Sequence, residues 1–338
     1  MTMRNVMGIE VQSGTRGYGT LPVTTLASGL TLEIPVHVVN GHEAGPVILL
    51  TALSHGDATT GLECIRQVLE QVDIDVLKGA IIAVPCQNPI GFAGGTRNTT
   101  TDSYNMNRTY PGNERGWITE MMAATISPLC DFADVLIDWH GGGFGCAINY
   151  MLLRLGAGGY TDKDRELGLA FGMEYYYGGN PAGPATAYMG NLSSYMQSLG
   201  KVGLVAEIGA GMDVPFDIIG NCVRGVFNVM KKMGMLPGEP VLPAKQWVIK
   251  DRPLVRPKNG GLFYPVCGPE CLNKVVPRGT LMSQVRCPLT LEVIEEIYAP
   301  CEQTVFLDIR GLMTRVHPGS YAYILGDLST AELIENET

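Results

Sequence analysis

Four short stretches, in order along the chain, carry residue types used in hydrolytic chemistry. They are Ser54-His55-Gly56-Asp57-Ala58, the run from Asp102 to Gly112 (DSYNMNRTYPG), Asp138-Trp139-His140-Gly141-Gly142 and Ala206-Glu207-Ile208-Gly209. His55 and His140 are two of only five histidines, and each directly follows an apolar run. Zinc accepts imidazole nitrogen at about 2.0–2.1 Å, and a hydrolytic site keeps one position open for water. Bound zinc lowers the pKa of that water toward about 7 and polarises a scissile carbonyl. A lone histidine at a strand end is more often a hydrogen-bonded core residue. Two of them, each in a glycine-containing turn at a sheet edge, point to a metal pair instead.

Glu207 ends another apolar run, where a carboxylate can take a proton from an attacking water and return it to a leaving amine. Its plainer role is a salt-bridged glutamate at the start of a loop; beside the histidines, catalysis is favoured. Arg97, Asn107 and Arg108 fall within twelve positions of one another. Arginine's planar fork matches a carboxylate with two hydrogen bonds, and asparagine adds a donor. The trio therefore suggests a substrate-carboxylate clamp and a carbonyl polariser. Loop-pinning hydrogen bonds are the simpler role for Asn98 and Asn105. Asp138, two before His140, is placed to orient that imidazole; Asp102 either supports a histidine or makes a turn.

The surrounding pattern is that of an α/β protein. Val47–Leu53, Ala80–Pro85, Ala133–Trp139 and Val202–Glu207 are continuous apolar runs, as in parallel strands buried on both faces. Helical spacing follows from about Asp57 to Val72, from Glu114 to Leu129 and from about Phe216 to Met233. Strands alternating with helices predict a mainly parallel sheet with helices on both faces. Asn88 to Asn113 is a long polar loop, and loops of that length in compact domains are usually functional. A proline-punctuated stretch near 240 divides a catalytic domain (1–240) from a smaller β-rich domain (241–338), whose short alternating runs suggest a barrel or sandwich.

The chain has 338 residues, 46% hydrophobic and 17% charged, with a net charge of −9. That describes an ordinary globular protein and argues against a nucleic-acid partner. No apolar run reaches the roughly 18 residues of a membrane span. No signal peptide is evident at the start, and nine scattered cysteines suggest reduced thiols, so a cytoplasmic location is expected. A homo-oligomer is compatible with the pattern. Cys267 and Cys271 lack the partners of a structural zinc site, so packing is expected of them.

The four stretches together resemble the succinylglutamate desuccinylase/aspartoacylase family, itself similar to zinc carboxypeptidases. The family pattern is His-Gly-Asp/Asn-Glu, then Asn-Arg-x-Phe-Pro-Gly, then Asp-x-His, then a catalytic Glu before x-Gly. The resemblance implies His55 and His140 as Zn2+ ligands, Glu207 as the base, and Asn107, Arg108 and Arg97 as contacts to substrate carboxylate and carbonyl. It also implies a carboxypeptidase-like α/β domain and a substrate that is a small N-acyl amino acid, hydrolysed at its amide. Members act on succinylated, acetylated or aminoacylated compounds. The acidic balance and Tyr175-Tyr176-Tyr177 leave room for a cationic amine end held on aromatic faces, although a buried tyrosine cluster is the plainer reading; an acetylated diamino acid is expected over a dicarboxylic one, with choice resting on Tyr150 to Asn191. A peptide-cleaving carboxypeptidase and a metal-free carboxylate-binding protein are the alternatives.

Ala58 departs from the family pattern. The family's third zinc ligand is a glutamate at this position, and a methyl group cannot coordinate. Asp57 would point elsewhere, and Glu63 lies more than a turn further along. Since the other motif residues are intact, an inactivating Glu-to-Ala change is the most economical reading. A lineage with another ligand and a degenerate non-enzyme are the others.

Overall fold

The computed structural model describes residues 3–143, 145–153, 160–179, 189–210, 216–311 and 314–337. At its centre Lys78–Val84, Glu43–Thr51, Val135–His140 and Val202–Ala210 lie side by side in that order, all parallel. These are the four apolar runs read from the sequence. Antiparallel strands extend the sheet both ways. Thr31–Asn40 and Thr15–Thr25 continue it beyond Lys78–Val84. Cys146–Leu152, Thr304–Arg310 and Tyr323–Asp327 continue it beyond Val202–Ala210.

Period-two alternation assigns side chains to faces. Val135, Ile137 and Trp139 join one core with Leu204, Ala206 and Ile208. Helices Thr60–Gln71, Asp162–Phe171 and Phe216–Lys232 pack against that face, contributing among others Ile65, Val68, Phe171, Val226 and Met230. Leu136 points the other way, into a core shared with Met122, Ala123 and Ile126 of helix Ile118–Ile126 and with Leu192 and Met196 of helix Leu192–Ser198. Asp138 and His140 share the parity of Leu136, and the register below places Glu207 on the same face. Deleting one of these core aliphatics would cost about 2–5 kcal/mol, so the strands that carry the site are rigidly held.

After residue 240 the sequence pattern changes, but the sheet does not stop. Thr304–Arg310 and Tyr323–Asp327 belong to it, while Lys245–Ile249 pairs with Tyr175–Tyr177. A separate four-stranded antiparallel sheet, ordered Val293–Tyr298, Leu281–Arg286, Gly261–Pro265, Thr314–Val316, encloses its own core around Phe263, Met282 and Tyr323. All nine cysteines are free. Among the described residues, no helix is long and apolar enough to cross a membrane.

Candidate active site

The His55 loop leaves its strand through Leu53, a buried non-glycine residue at φ 58°. Leucine rarely adopts that left-handed conformation, which costs of order 1–3 kcal/mol and persists only when the surroundings enforce it. The turn carries Ser54 and His55 back over the sheet edge. Gly56 then passes against helix Pro89–Gly94 so closely that a Cβ there would sit 2.0 Å from the Gly91 carbonyl carbon. Only glycine fits that approach.

His140 ends the neighbouring strand, and its ring centroid is 5.4 Å from that of His55. His140 Nε2 donates to Asp138 Oδ2 at 2.9 Å, which leaves Nδ1 as the lone-pair nitrogen, 3.4 Å from Ser54 Oγ. His55 Nδ1 lies 3.3 Å from the Arg97 carbonyl; donating there leaves Nε2 unprotonated. Burial, then Arg97 and His140, hold the His55 imidazole well below the ordinary histidine range, so it is neutral at pH 7. Burial also works against protonation of His140, but the charge and hydrogen bond of Asp138 outweigh it and raise the pKa.

Asp138 is fully buried and accepts from Thr51 Oγ1 at 2.6 Å and Gln87 Nε2 at 2.9 Å besides His140. Tyr110 donates to Gln87 Oε1 in turn. Removing a buried charged acceptor strands these donors. Asp138→Ala is expected to lower the unfolding free energy by about 3–5 kcal/mol, read by urea denaturation. A loss below about 1 kcal/mol, the typical worth of one hydrogen bond, would contradict the network.

Glu207 is half-buried and stands directly across from His140 on the next parallel strand, with Tyr150 across from it on the other side. The polar loop supplies the opposite wall. Its 3-10 turn Met106–Arg108 is anchored by buried Met106, and Asn105 Oδ1 accepts from the Asn107 amide. Arg108 Nη1 donates to the Asn107 carbonyl at 2.6 Å, and Asn107 Oδ1 is buried with no hydrogen-bond partner among the described residues. One cavity is lined by His55, Arg97, Asn107, Arg108, His140 and Glu207, together with Gly141, Leu152, Asn191 and Val205. The six candidate residues are thus brought to one place.

The other candidates separate. Asp102 accepts from the amide and hydroxyl of Thr119 and from the Tyr104 amide, so it fixes the loop. Asn98 Nδ2 donates to the Ser103 carbonyl. Glu63 is bound to Arg66 and Gln67 along its own helix, and the Arg66 bond pulls its pKa down to about 2. Tyr175, Tyr176 and Tyr177 are buried, and the cation over the Tyr177 ring is the protein's own Arg252, 4.2 Å from the centroid. The tyrosine run therefore packs within the protein and does not offer itself to a substrate amine. Within Tyr150 to Asn191, Leu152 and Asn191 line the cavity, while 154–159 and 180–188 lie outside the described residues.

Ala58 is buried, and its Cβ lies 3.4 Å from where a Cβ on Gly141, the residue after His140, would stand. Position 58 therefore lies against the residue that follows His140. Among the described residues, one buried carboxylate oxygen of Asp57 has no partner, and no three His, Cys, Asp or Glu side chains stand close enough to hold a metal. The described part of the chain supplies two imidazoles with lone pairs and no third ligand beside them.

Four groups near the site were not anticipated from sequence. Gln87 and Asn88 are fully buried polar residues directly beyond the Lys78–Val84 strand, the same strand-end signal that marked the histidines. Asp308 and Arg252 come from the C-terminal region. Asp308 pairs in register with Ile148, which pairs with Gly209, two residues beyond Glu207. Asp308 and Glu207 thus share a sheet face. Burial, then Glu207, push the Asp308 carboxyl up to about 7 against the opposing pull of Arg310, Arg252 and Arg97.

The architecture is therefore a mixed α/β sheet that gathers paired imidazoles, a carboxylate and an arginine-rich loop at the carboxyl ends of its parallel strands, where α/β proteins bind ligands. The chain belongs to the succinylglutamate desuccinylase/aspartoacylase family, whose catalytic domain matches residues 44–233. It is similar to the N-alpha-acetyl-L-2,4-diaminobutyric acid deacetylase of Halomonas elongata, with 26% identity over 252 residues, 72% of this chain and 71% of that protein. The fold is shared with the product-bound ectoine utilization protein EutE (DoeB) of Ruegeria pomeroyi, at a TM-score of 0.80 and 23% identity over 93% of this chain and 95% of that one. A succinylglutamate desuccinylase of Silicibacter sp. TM1040 is similar at a TM-score of 0.79 and 24% identity, over 93% of this chain and 94% of that one.

Proposed function

We propose that this chain is built as a zinc-dependent deacylase that hydrolyses the amide of a small N-acyl amino acid, and that Ala58 leaves it weakened as written. The observation that carries the reading is one cavity lined by His55, His140, Glu207, Arg97, Asn107 and Arg108. The Halomonas relative, a deacetylase of acetylated diaminobutyrate, supports an acetylated diamino acid as the substrate.

A catalytic zinc normally has three protein ligands and a water. His55 and His140 fit two of those places, and the methyl of Ala58 does not fit the third. Zinc in a completed set acidifies a bound water and polarises the scissile carbonyl. The rest falls to protein groups. Arg97 and Arg108 bind the substrate carboxylate, and Asn107 and Arg108 orient the carbonyl and offset charge developing on its oxygen. Glu207 takes a proton from the attacking water and delivers it to the departing nitrogen.

The test is amine release from N-acetyl-2,4-diaminobutyrate, N-acetylaspartate and N-succinylglutamate by the Ala58→Glu variant. The diamino compound is expected to turn over fastest. Faster release from either dicarboxylic substrate would overturn that choice. Ala58 also favours a second reading, a metal-free protein that binds small carboxylates through the same arginines. No release from any compound by the Ala58→Glu variant, with binding retained, would support it.

A further inference from the structure

We propose that Asp308 is the carboxylate that receives the side-chain ammonium of a cationic N-acyl amino acid. The inference rests on reading the cavity as an N-acyl amino acid site and adds to it the group that selects charge. Asp308 is 9% exposed, and its Oδ1 is buried with no hydrogen-bond partner among the described residues. Native structures rarely leave a buried carboxylate oxygen unpaired, because the desolvation it suffers goes uncompensated. A cationic ligand is the simplest compensation.

Arg310, Arg252 and Arg97 pull on Asp308 through space, but among the described residues none of them hydrogen-bonds its Oδ1. Arg252 Nη1 donates to the Tyr150 hydroxyl at 2.8 Å, and its guanidinium lies over the Tyr177 ring. Arg310 Nε donates to the Tyr321 carbonyl at 2.8 Å. Arg97 stands in the loop that walls the cavity. Asp308 is held on the sheet by its pairing with Ile148, on the face shared by Glu207 and His140 and one residue pair further along. Asp138, the other buried carboxylate of that face, is saturated by three donors. A substrate held at its carboxylate by the arginine loop, with its amide at Glu207, has its side chain left to place. An ammonium there meets Asp308; a carboxylate there meets repulsion.

This predicts discrimination by charge that resides in one oxygen pair. The chain with Ala58 is titrated calorimetrically with N-acetyl-L-2,4-diaminobutyrate and with N-acetyl-L-2-aminobutyrate, which lacks the ammonium. The cationic ligand is expected to bind at least about tenfold more tightly, and Asp308→Asn to bring the ratio to about one. Asparagine keeps the shape and removes an unpaired buried charge, so the variant is expected to fold; its melting curve verifies this. Asp57→Asn, the other carboxylate with an unpartnered oxygen, serves as the comparison and is expected to preserve the ratio. An unchanged ratio in Asp308→Asn, a parallel loss of both ligands, or a ratio lost only in Asp57→Asn overturns the assignment while the N-acyl amino acid reading stands. Failure of both ligands to bind the unaltered chain overturns that reading and this one together.

Discussion

Ala58→Glu is expected to raise amine release from an N-acetylated diamino acid at least about 100-fold in the presence of zinc. Substitutions that only touch a metal's supporting hydrogen bonds typically cost about 10–100-fold, so supplying a missing direct ligand should exceed that range. Position 58 is buried and its side chain faces Gly141, next to His140. A glutamate there would stand in the turn before helix Thr60–Gln71, the position at which the family resemblance expects a ligand. Without metal, the same carboxylate would be a buried charge lacking a partner. The variant should therefore melt below the unaltered chain when metal-free and recover when zinc is added. Equal turnover in the two proteins, each loaded with zinc, would mean that the introduced carboxylate completes nothing.

The second large effect is at Glu207. In the Ala58→Glu background, Glu207→Gln is expected to lower kcat by about 100- to 10,000-fold, the usual contribution of a positioned general acid–base. Glutamine has the same shape and stays in register with His140 and Tyr150, so zinc content and KM should change little. The split matters. A parallel loss of zinc and activity would make Glu207 a metal ligand or a structural residue, and a minor change in kcat would remove it from the chemistry.

The parts of this site that sequence made visible share a physical signature. His140 ends its strand, His55 lies four residues beyond Glu43–Thr51 and Glu207 sits three before the end of Val202–Ala210; each follows a run of buried aliphatics. Gln87 and Asn88 carry the same signature after Lys78–Val84 but have no familiar catalytic role, and they went unread. Asp308 is different. It sits within Thr304–Arg310, far along the chain, and its relation to Glu207 arises only because that strand pairs with Cys146–Leu152. The partner a strand takes across the fold is not written in its local periodicity. Thr15–Thr25 is hard to read for its own reason, whereas Thr31–Asn40 carries a legible alternation with Leu32, Ile34, Val36 and Val38 buried. The first is mostly exposed or half-exposed, rich in threonine and glycine, and lacks a buried aliphatic run. The polar loop hid the helix Pro89–Gly94 because two of its six residues are glycines, and its start depends on Asn88 Oδ1 accepting from the Gly91 amide at 2.8 Å.

The change of pattern near residue 240 has a functional meaning in this arrangement. The C-terminal residues place Asp308 and Arg252 on the face that carries Glu207 and Tyr150, on strands formed much earlier in the chain. Charge selection and bond cleavage are then separable. Asp308→Asn is expected to act on the first and Glu207→Gln on the second.

The most direct measurement of the central claim is the affinity for zinc, determined by chelator competition, of the chain as written and of its Ala58→Glu variant. With His55 and His140 as the proposed ligands and no third beside them among the described residues, the unaltered chain should bind at least about 100-fold more weakly than the variant, which should hold one equivalent per chain. One equivalent bound equally tightly by both proteins would contradict the account, because another residue would then supply the third ligand.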